Sequence, residues 1–236
     1  MTNPVTTFLQ STEGQYMRWM VEHGQARYLY EWWQSRKENY LLNKPSPWIT
    51  FDARRFLMSK MYPGMKIFEW GSGGSTLFWL KSGATCVSVE HDPTWVNVVK
   101  SRLQGKPEAA NLDYRLIEPV KRVKPLEHPD PAAPSLYASG DTAFDAYTFE
   151  PYARQIDTFP DHYFDIVLVD GRARPSCIVH GVNKVKPGGM MMVDNADRDY
   201  YFTQTNQLLK DFEKTSLYGT GPMNPVAWQT DFYLRK

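Results

Sequence analysis

KIFEWGSGGSTLFWLKSGATCVSVEHD, residues Lys66 to Asp92, decides how the rest of the chain is read. Ile67 and Phe68 belong to a short apolar run that reads as a buried strand. Glu69 and Trp70 lead into Gly71-Ser72-Gly73-Gly74, followed by Ser75 and Thr76. A helical segment runs through Leu77, Phe78, Trp79 and Leu80, and Ser82-Gly83 ends it. A second strand, Thr85 to Val89, closes on an acid, Glu90. Strand, glycine turn, helix, strand and acid make half of a nucleotide-binding α/β unit. The glycines let the backbone turn tightly and let a ligand approach the main chain without meeting a Cβ. Glu90 falls about twenty residues after the turn, where a ribose hydroxyl pair is held.

Two details narrow the ligand. Thr76 stands where the dinucleotide fingerprint has its third glycine. Glu69 precedes the first glycine, where a carboxylate repels a pyrophosphate but can hold an ammonium group. Both count against NAD and for S-adenosylmethionine, which has an amino-acid tail and no phosphate. The stretch resembles the E-x-G-x-G-G turn of class I S-adenosylmethionine-dependent methyltransferases. That resemblance implies an α/β, Rossmann-like fold: a mostly parallel seven-stranded sheet with a C-terminal antiparallel strand. It implies cofactor contacts from Glu69, Gly71, Ser72, Gly73, Gly74, Ser75, Thr76, Glu90 and His91. Trp95 would lie near the adenine ring and Glu118, after the third strand, near the adenine amino group. The motif Pro47-Trp48-Ile49-Thr50 before a helix also resembles small bacterial methyltransferases. Thr50 then either reaches the cofactor carboxylate or serves as a helix N-cap.

The chain's 236 residues fit one large α/β domain with a helical extension: residues 1–62 as the extension, 63–236 as the methyltransferase-like domain. A net charge of +1 supplies no global field for nucleic acid or an anionic membrane. No apolar run approaches the roughly 18 residues that span a bilayer. The N-terminus lacks a basic n-region and an apolar h-region, so no signal peptide is expected. Two cysteines, Cys86 and Cys177, indicate no disulfide framework, and a cytoplasmic setting follows.

Residues 1–10 read as a loose tail. Ser11 to Leu42 is helix-like and aromatic, divided at Gly24. Its aromatics either pack on the sheet, or form a lid or a homodimer surface. Thr50 opens a helix to Met61. Pro93 starts a helix to about Leu103, and a third strand spans Asp113 to Ile117. Residues 119–149 carry Pro119, Pro125, Pro129, Pro131 and Pro134, and read as an insertion near the active-site mouth. Its basic residues, Lys121, Arg122 and Lys124, lack the aromatic interleaving of a nucleic-acid patch. A short helix follows over Pro151 to Thr158. Phe164 to Val169 is a buried strand ending at Asp170-Gly171, and Pro175 opens a helix to about Val185. Lys186-Pro187-Gly188-Gly189 is a stop and turn before a strand, Met190 to Val193, ending at Asp194-Asn195. A helix through Leu208, Leu209 and Phe212 precedes two β-like segments, near Leu217 and at Trp228 to Leu234.

Ligands of open α/β sheets bind outside the carboxyl ends of the strands. Those ends carry Glu69, Glu90, Glu118, Asp170 and Asp194, which need cations to meet. Methyl transfer requires alignment, exclusion of water and, for a hydroxyl acceptor, removal of a proton. Asp170 is the first candidate for base or acceptor positioning. Arg172 and Arg174 could fork onto a substrate carboxylate or phosphate, or pair with neighbouring acids. Asp170, Asp194 and Asn195 also resemble the Mg²⁺ site of catechol-type O-methyltransferases, as hard oxygen ligands. That family has a catalytic lysine where this chain has Ala173, so a metal-free site is favoured. Arginine stays protonated and cannot replace it as a base. Cys177, near a helix start, could be somewhat acidified, though a structural thiol is the better reading. The sequence therefore points to methyl transfer from S-adenosylmethionine to a small-molecule oxygen or nitrogen acceptor. Its rivals are a catalytically silent nucleotide-binding or scaffold protein and an NAD-linked oxidoreductase.

Overall fold

The computed structural model describes residues 4–124 and 126–236. The chain opens with α1 (Pro4–Gln10) and α2 (Thr12–Glu22). α1 stands where the sequence predicts a loose tail; Ser11 joins the two helices. Its hydroxyl donates to Phe8 O (2.6 Å) and accepts from Gly14 N (3.1 Å), closing one helix and capping the next. The expectations for residues 1–3 and for Pro125 lie outside the described residues. Gly24, at φ +69°, breaks the path to α3 (Leu29–Ser35), and α4 (Tyr40–Asn43) and α5 (Phe51–Met58) follow. Thr50 caps α5 by accepting from Ala53 N (3.3 Å), and the helix ends three residues before the predicted Met61.

The sheet begins at β1 (Lys66–Trp70), followed by α6 (Gly74–Lys81), β2 (Thr85–Glu90), α7 (Pro93–Leu103) and β3 (Leu112–Leu116). Within residues 119–149, β4 (Val120–Lys121) and β5 (Tyr147–Thr148) pair antiparallel, so the insertion carries a small hairpin at its base. Then come α8 (Glu150–Ala153), β6 (Phe164–Val169), α9 (Arg174–Gly181), β7 (Val185–Asp194), β8 (Phe212–Thr220) and β9 (Ala227–Arg235). Seven strands form one sheet in the order β3-β2-β1-β6-β7-β9-β8. β9 runs antiparallel to both its neighbours and every other pairing is parallel, as expected of a closing antiparallel strand.

Both faces are covered, so the central strands are apolar throughout. Phe68, Trp70, Val167, Val169, Met191 and Val193 pack with Tyr152, Cys177 and Ile178 from α8 and α9. Their alternates Ile67, Ile166, Leu168, Met190 and Met192 pack with Leu57, Leu77, Leu80 and Val99 from α5, α6 and α7. Tyr16, Met20, Tyr28, Trp32 and Phe51 form a third cluster in the helical extension. Tyr16 donates to Val226 O (2.8 Å) and Trp32 to Asn224 O (2.9 Å), which fastens the extension to the β8–β9 turn.

Two predicted elements differ. Phe164 pairs with Val185 and Ile166 with Met190, so Lys186–Gly189 bulges out within β7 instead of ending a helix before it. The helix expected through Phe212 shrinks to turns at Asp199–Tyr201 and Asn206–Leu209. Thr205 turns its hydroxyl back to Tyr201 O (2.8 Å), a side-chain bond that competes with helix extension, and Phe212 opens β8.

Candidate active site

A cleft of about 1320 Å³ lies outside the carboxyl ends of β1, β2, β6 and β7. The glycine turn forms one wall. Gly71 sits at φ +91°, and a Cβ there would stand 3.1 Å from the Asp170 carbonyl, so only glycine lets β1 and β6 end side by side. A Cβ on Gly74 would overlap the carbonyl oxygens of Leu41 and Ser46, so this glycine seats the helical extension against the turn. Residues Glu38–Leu42 and Trp48 of that extension consequently line the cleft.

Glu90 stands at the end of β2, facing the turn. Its Oε2 accepts from Ser72 N and Ser72 Oγ (both 2.9 Å). Its Oε1 accepts from His91 N (2.7 Å) and Asp92 N (3.0 Å), with His91 Nδ1 at 2.8 Å. Burial alone would raise the carboxyl's pKa, but these donors outweigh it and hold the pKa down at about 2. Trp95 donates from Nε1 to Ser72 O (2.7 Å) and lays its ring against Gly73. Asp92 caps α7 through Thr94 N (2.8 Å), which fixes the start of the helix bearing Trp95. Gly71, Ser72, Gly73, Gly74, Ser75, Glu90, His91 and Trp95 all line the cleft.

Four residues expected at the cofactor lie elsewhere. The two-residue period of β1 sends Glu69, like Ile67, to the α6 face, where it is fully buried. It accepts from the hydroxyl of Thr76, from Ser88 Oγ (2.7 Å) and from Trp79 Nε1 (2.8 Å). Burial pushes its pKa up. Thr76 is buried with it, accepting from Gly73 N (3.0 Å), so the pair braces the turn from beneath. Thr50 is buried as the α5 cap and donates to Leu217 O (3.3 Å), away from the cleft. Glu118, two residues past β3, is exposed and outside the cleft lining.

The β6–β7 half is built differently. Arg174 bridges the two strand ends: it donates to Gly171 O (3.0 Å), Asp170 O (3.0 Å), Asp170 Oδ1 (3.0 Å) and the Asp194 carbonyl. It is thus spent on the protein, and the expected fork onto a substrate anion is not formed by it. Arg172 pairs with Asp141 of the insertion (3.1 Å) and donates to His91 Nε2 (3.4 Å). Asp194 turns its carboxylate to β9, accepting from Trp228 Nε1 (3.0 Å) and Thr230 Oγ1 (2.7 Å). Burial and the nearby Asp194 raise the pKa of Asp170 well above the usual carboxylate range, against the pull of Arg174. Asn195, at φ +50°, turns the chain beside them. Among the described residues, no three His, Cys, Asp or Glu side chains are grouped to hold a metal. Burial pushes the Cys177 thiol well up, so the start of α9 does not acidify it.

Sequence reasoning passed over several cleft residues. Ser139 to Thr142 come from the insertion, Tyr200 and Tyr201 from the β7–β8 connection, and Met223 to Trp228 from the β8–β9 turn. Tyr114 on β3 bonds Ser72 Oγ (2.6 Å). A polar ring within a strand that ends beside β2 was the one available signal for it.

Neither a family model nor a curated protein sequence matches the chain. Solved structures do. The chain is similar to an O-methyltransferase of Streptomyces achromogenes involved in tomaymycin synthesis, solved with S-adenosylmethionine. There the TM-score is 0.56 at 16% identity, over 89% of this chain and 96% of that one. An O-methyltransferase of Bacillus cereus, in complex with S-adenosylhomocysteine, gives 0.53 at 15% identity, over 86% and 89%. A methyltransferase-like protein of Silicibacter pomeroyi gives 0.50 at 19% identity, over 81% and 89%. The fold is therefore that of the class I S-adenosylmethionine-dependent methyltransferases.

Proposed function

We propose that this protein is an S-adenosylmethionine-dependent methyltransferase acting on an oxygen or nitrogen of a small molecule. The observation that carries the reading is Glu90, ionised at the end of β2, held against the glycine turn by Ser72 and flanked by the Trp95 ring. A carboxylate with a depressed pKa suits two ribose hydroxyls, and the glycine turn beside it, which lines the cleft, suits a chain laid along its main chain. When bound, S-adenosylmethionine supplies a methyl group on a sulfonium. The protein's part is placement and proton handling. Asp170 is the base or positioning group: Arg174 holds one oxygen, and the other has no partner among the described residues. Burial and the nearby Asp194 give Asp170 a higher proton affinity than an ordinary carboxylate has. Arg174 is a positioning residue in this scheme, and Arg172 joins the insertion to the cleft wall. We read the site as metal-free, because Ala173 stands where the metal-dependent pattern has its lysine, and Trp228 and Thr230 both hold the same oxygen of Asp194, Oδ1. A cytoplasmic setting fits the two free, buried cysteines.

Calorimetry tests the reading. S-adenosylhomocysteine should bind and NAD should not, with the affinity unchanged in EDTA. Tight NAD binding with no heat from either adenosyl compound would overturn it, and binding that requires Mg²⁺ would overturn the metal-free part.

A further inference from the structure

We infer that the acceptor carries a protonated amine, so that the cleft selects small cationic molecules over carboxylates and phosphates; this rests on the methyltransferase reading above. Seven carboxylates and three arginines line the cleft, and no lysine does among the described residues, although the whole chain carries +1. Two of the three arginines are paired with carboxylates. Arg174 is spent on the ends of β6 and β7, and Arg172 on Asp141 and His91. Arg198 donates to the Tyr201 hydroxyl (2.9 Å). An anionic acceptor would meet one arginine without an ion pair among the described residues, Arg198, against two such carboxylates, Glu38 and Asp197, and would lose hydration among like charges. Were Asp170 and Asp194 both protonated, carboxylates would still outnumber arginines in the cleft.

The acids point to a cation for a second reason. Glu38 on the helical extension and Asp197 after β7 line the cleft and are exposed. Their hydrogen bonds come from neutral groups, Asn39 Nδ2 (3.4 Å) and Gln229 N (3.1 Å). Neither forms an ion pair among the described residues. Tyr40, Trp48, Tyr200 and Trp228 line the same space, and aromatic faces attract ammonium groups. A molecule with an apolar or aromatic body and an ammonium head satisfies both features.

The test uses the full chain saturated with S-adenosylhomocysteine and three probes of similar shape: phenethylamine, 2-phenylethanol and 3-phenylpropionate. Phenethylamine should bind at least about tenfold more tightly than 2-phenylethanol, as one added charge pair at the cleft would give. 3-Phenylpropionate should bind most weakly. The amine's advantage should shrink with added salt and in a Glu38→Gln/Asp197→Asn variant, while 2-phenylethanol binding stays unchanged. Three results would overturn the inference: carboxylate binding that equals the amine's, equal binding of amine and alcohol, or no binding of any probe. A protein that fails to take up S-adenosylhomocysteine would instead remove the methyltransferase reading, and that measurement is made before any probe is added.

Discussion

On the β1–β2 side of the fold, carboxylates are held by neutral donors close in sequence. Glu69 is met by Thr76, Trp79 and Ser88, and Glu90 by Ser72 and the two residues after it. In the β6–β7 half, Asp170 is held by an arginine, and Asp194 by Trp228 and Thr230, side chains 34 and 36 residues away on β9. The outcomes diverge. Four donors around one buried carboxylate hold the pKa of Glu90 down at about 2. Two carboxylates beside one guanidinium leave Asp170 with a raised pKa. A braced turn with an ionised Glu90 suits a cofactor of fixed shape, whereas Asp170, with an available oxygen and higher proton affinity, suits chemistry.

The largest expected effect tests whether Glu69 belongs to the frame of the first half. Glu69→Ala leaves three buried donors without an acceptor. At about 1–3 kcal/mol for each unpaired group, the loss is about 3–9 kcal/mol, a large part of a domain's stability. Urea unfolding checks it, with Glu69→Gln as the milder variant that keeps an acceptor oxygen. An alanine variant as stable as the parent would show that the buried acid is not a brace.

Acid titration separates Glu90 from Asp170 by sign. The pKa of Glu90 falls on folding from the ordinary 4.5 to about 2. Its contribution is therefore complete above pH 4.5 and is lost as the pH drops through about 2, a change of about 3 kcal/mol. Asp170 runs the other way. Its raised pKa contributes stability that is present below the ordinary carboxylate value and is lost as the pH rises through the folded pKa. Stability measured from pH 5 to pH 2 should fall in the parent and fall less in Glu90→Gln. Parallel curves would place the acid-labile contact elsewhere.

The same division explains what the sequence could disclose. The glycine turn and the buried strands β1, β2 and β6 follow from local periodicity and turn chemistry, and the antiparallel close from the resemblance to the methyltransferases; they stand where expected. Glu90 was legible because its partners lie within the quoted stretch. Glu69 was legible as an acid but not in direction, since the face it takes depends on which side of β1 carries α6. Arg174 looked like Arg172 in sequence; only the meeting of β6 and β7 makes one a bridge and the other a half-exposed partner of Asp141. The cleft residues of the extension and of the β8–β9 turn arrive by packing, through Gly74 and through Tyr16 and Trp32, and no local pattern announces them.

Thr50 gives the smallest effect and the sharpest contrast between a residue near the cofactor in sequence and one near it in space. It precedes the glycine turn by only two elements, yet its hydroxyl accepts from Ala53 N and donates to Leu217 O, tying the start of α5 to β8. Removing an N-cap hydroxyl costs about 1 kcal/mol. Thr50→Ala should lower the unfolding free energy by about that much, and Thr50→Ser should restore most of it by keeping the hydroxyl. S-adenosylhomocysteine affinity should be the same in all three proteins, because the cap is buried beneath the helix and does not line the cleft. If the alanine variant kept its stability but bound the ligand about tenfold more weakly, corresponding to about 1.4 kcal/mol at the ligand, the threonine would be a cofactor contact after all. The extension would then have to shift towards the turn when the ligand binds.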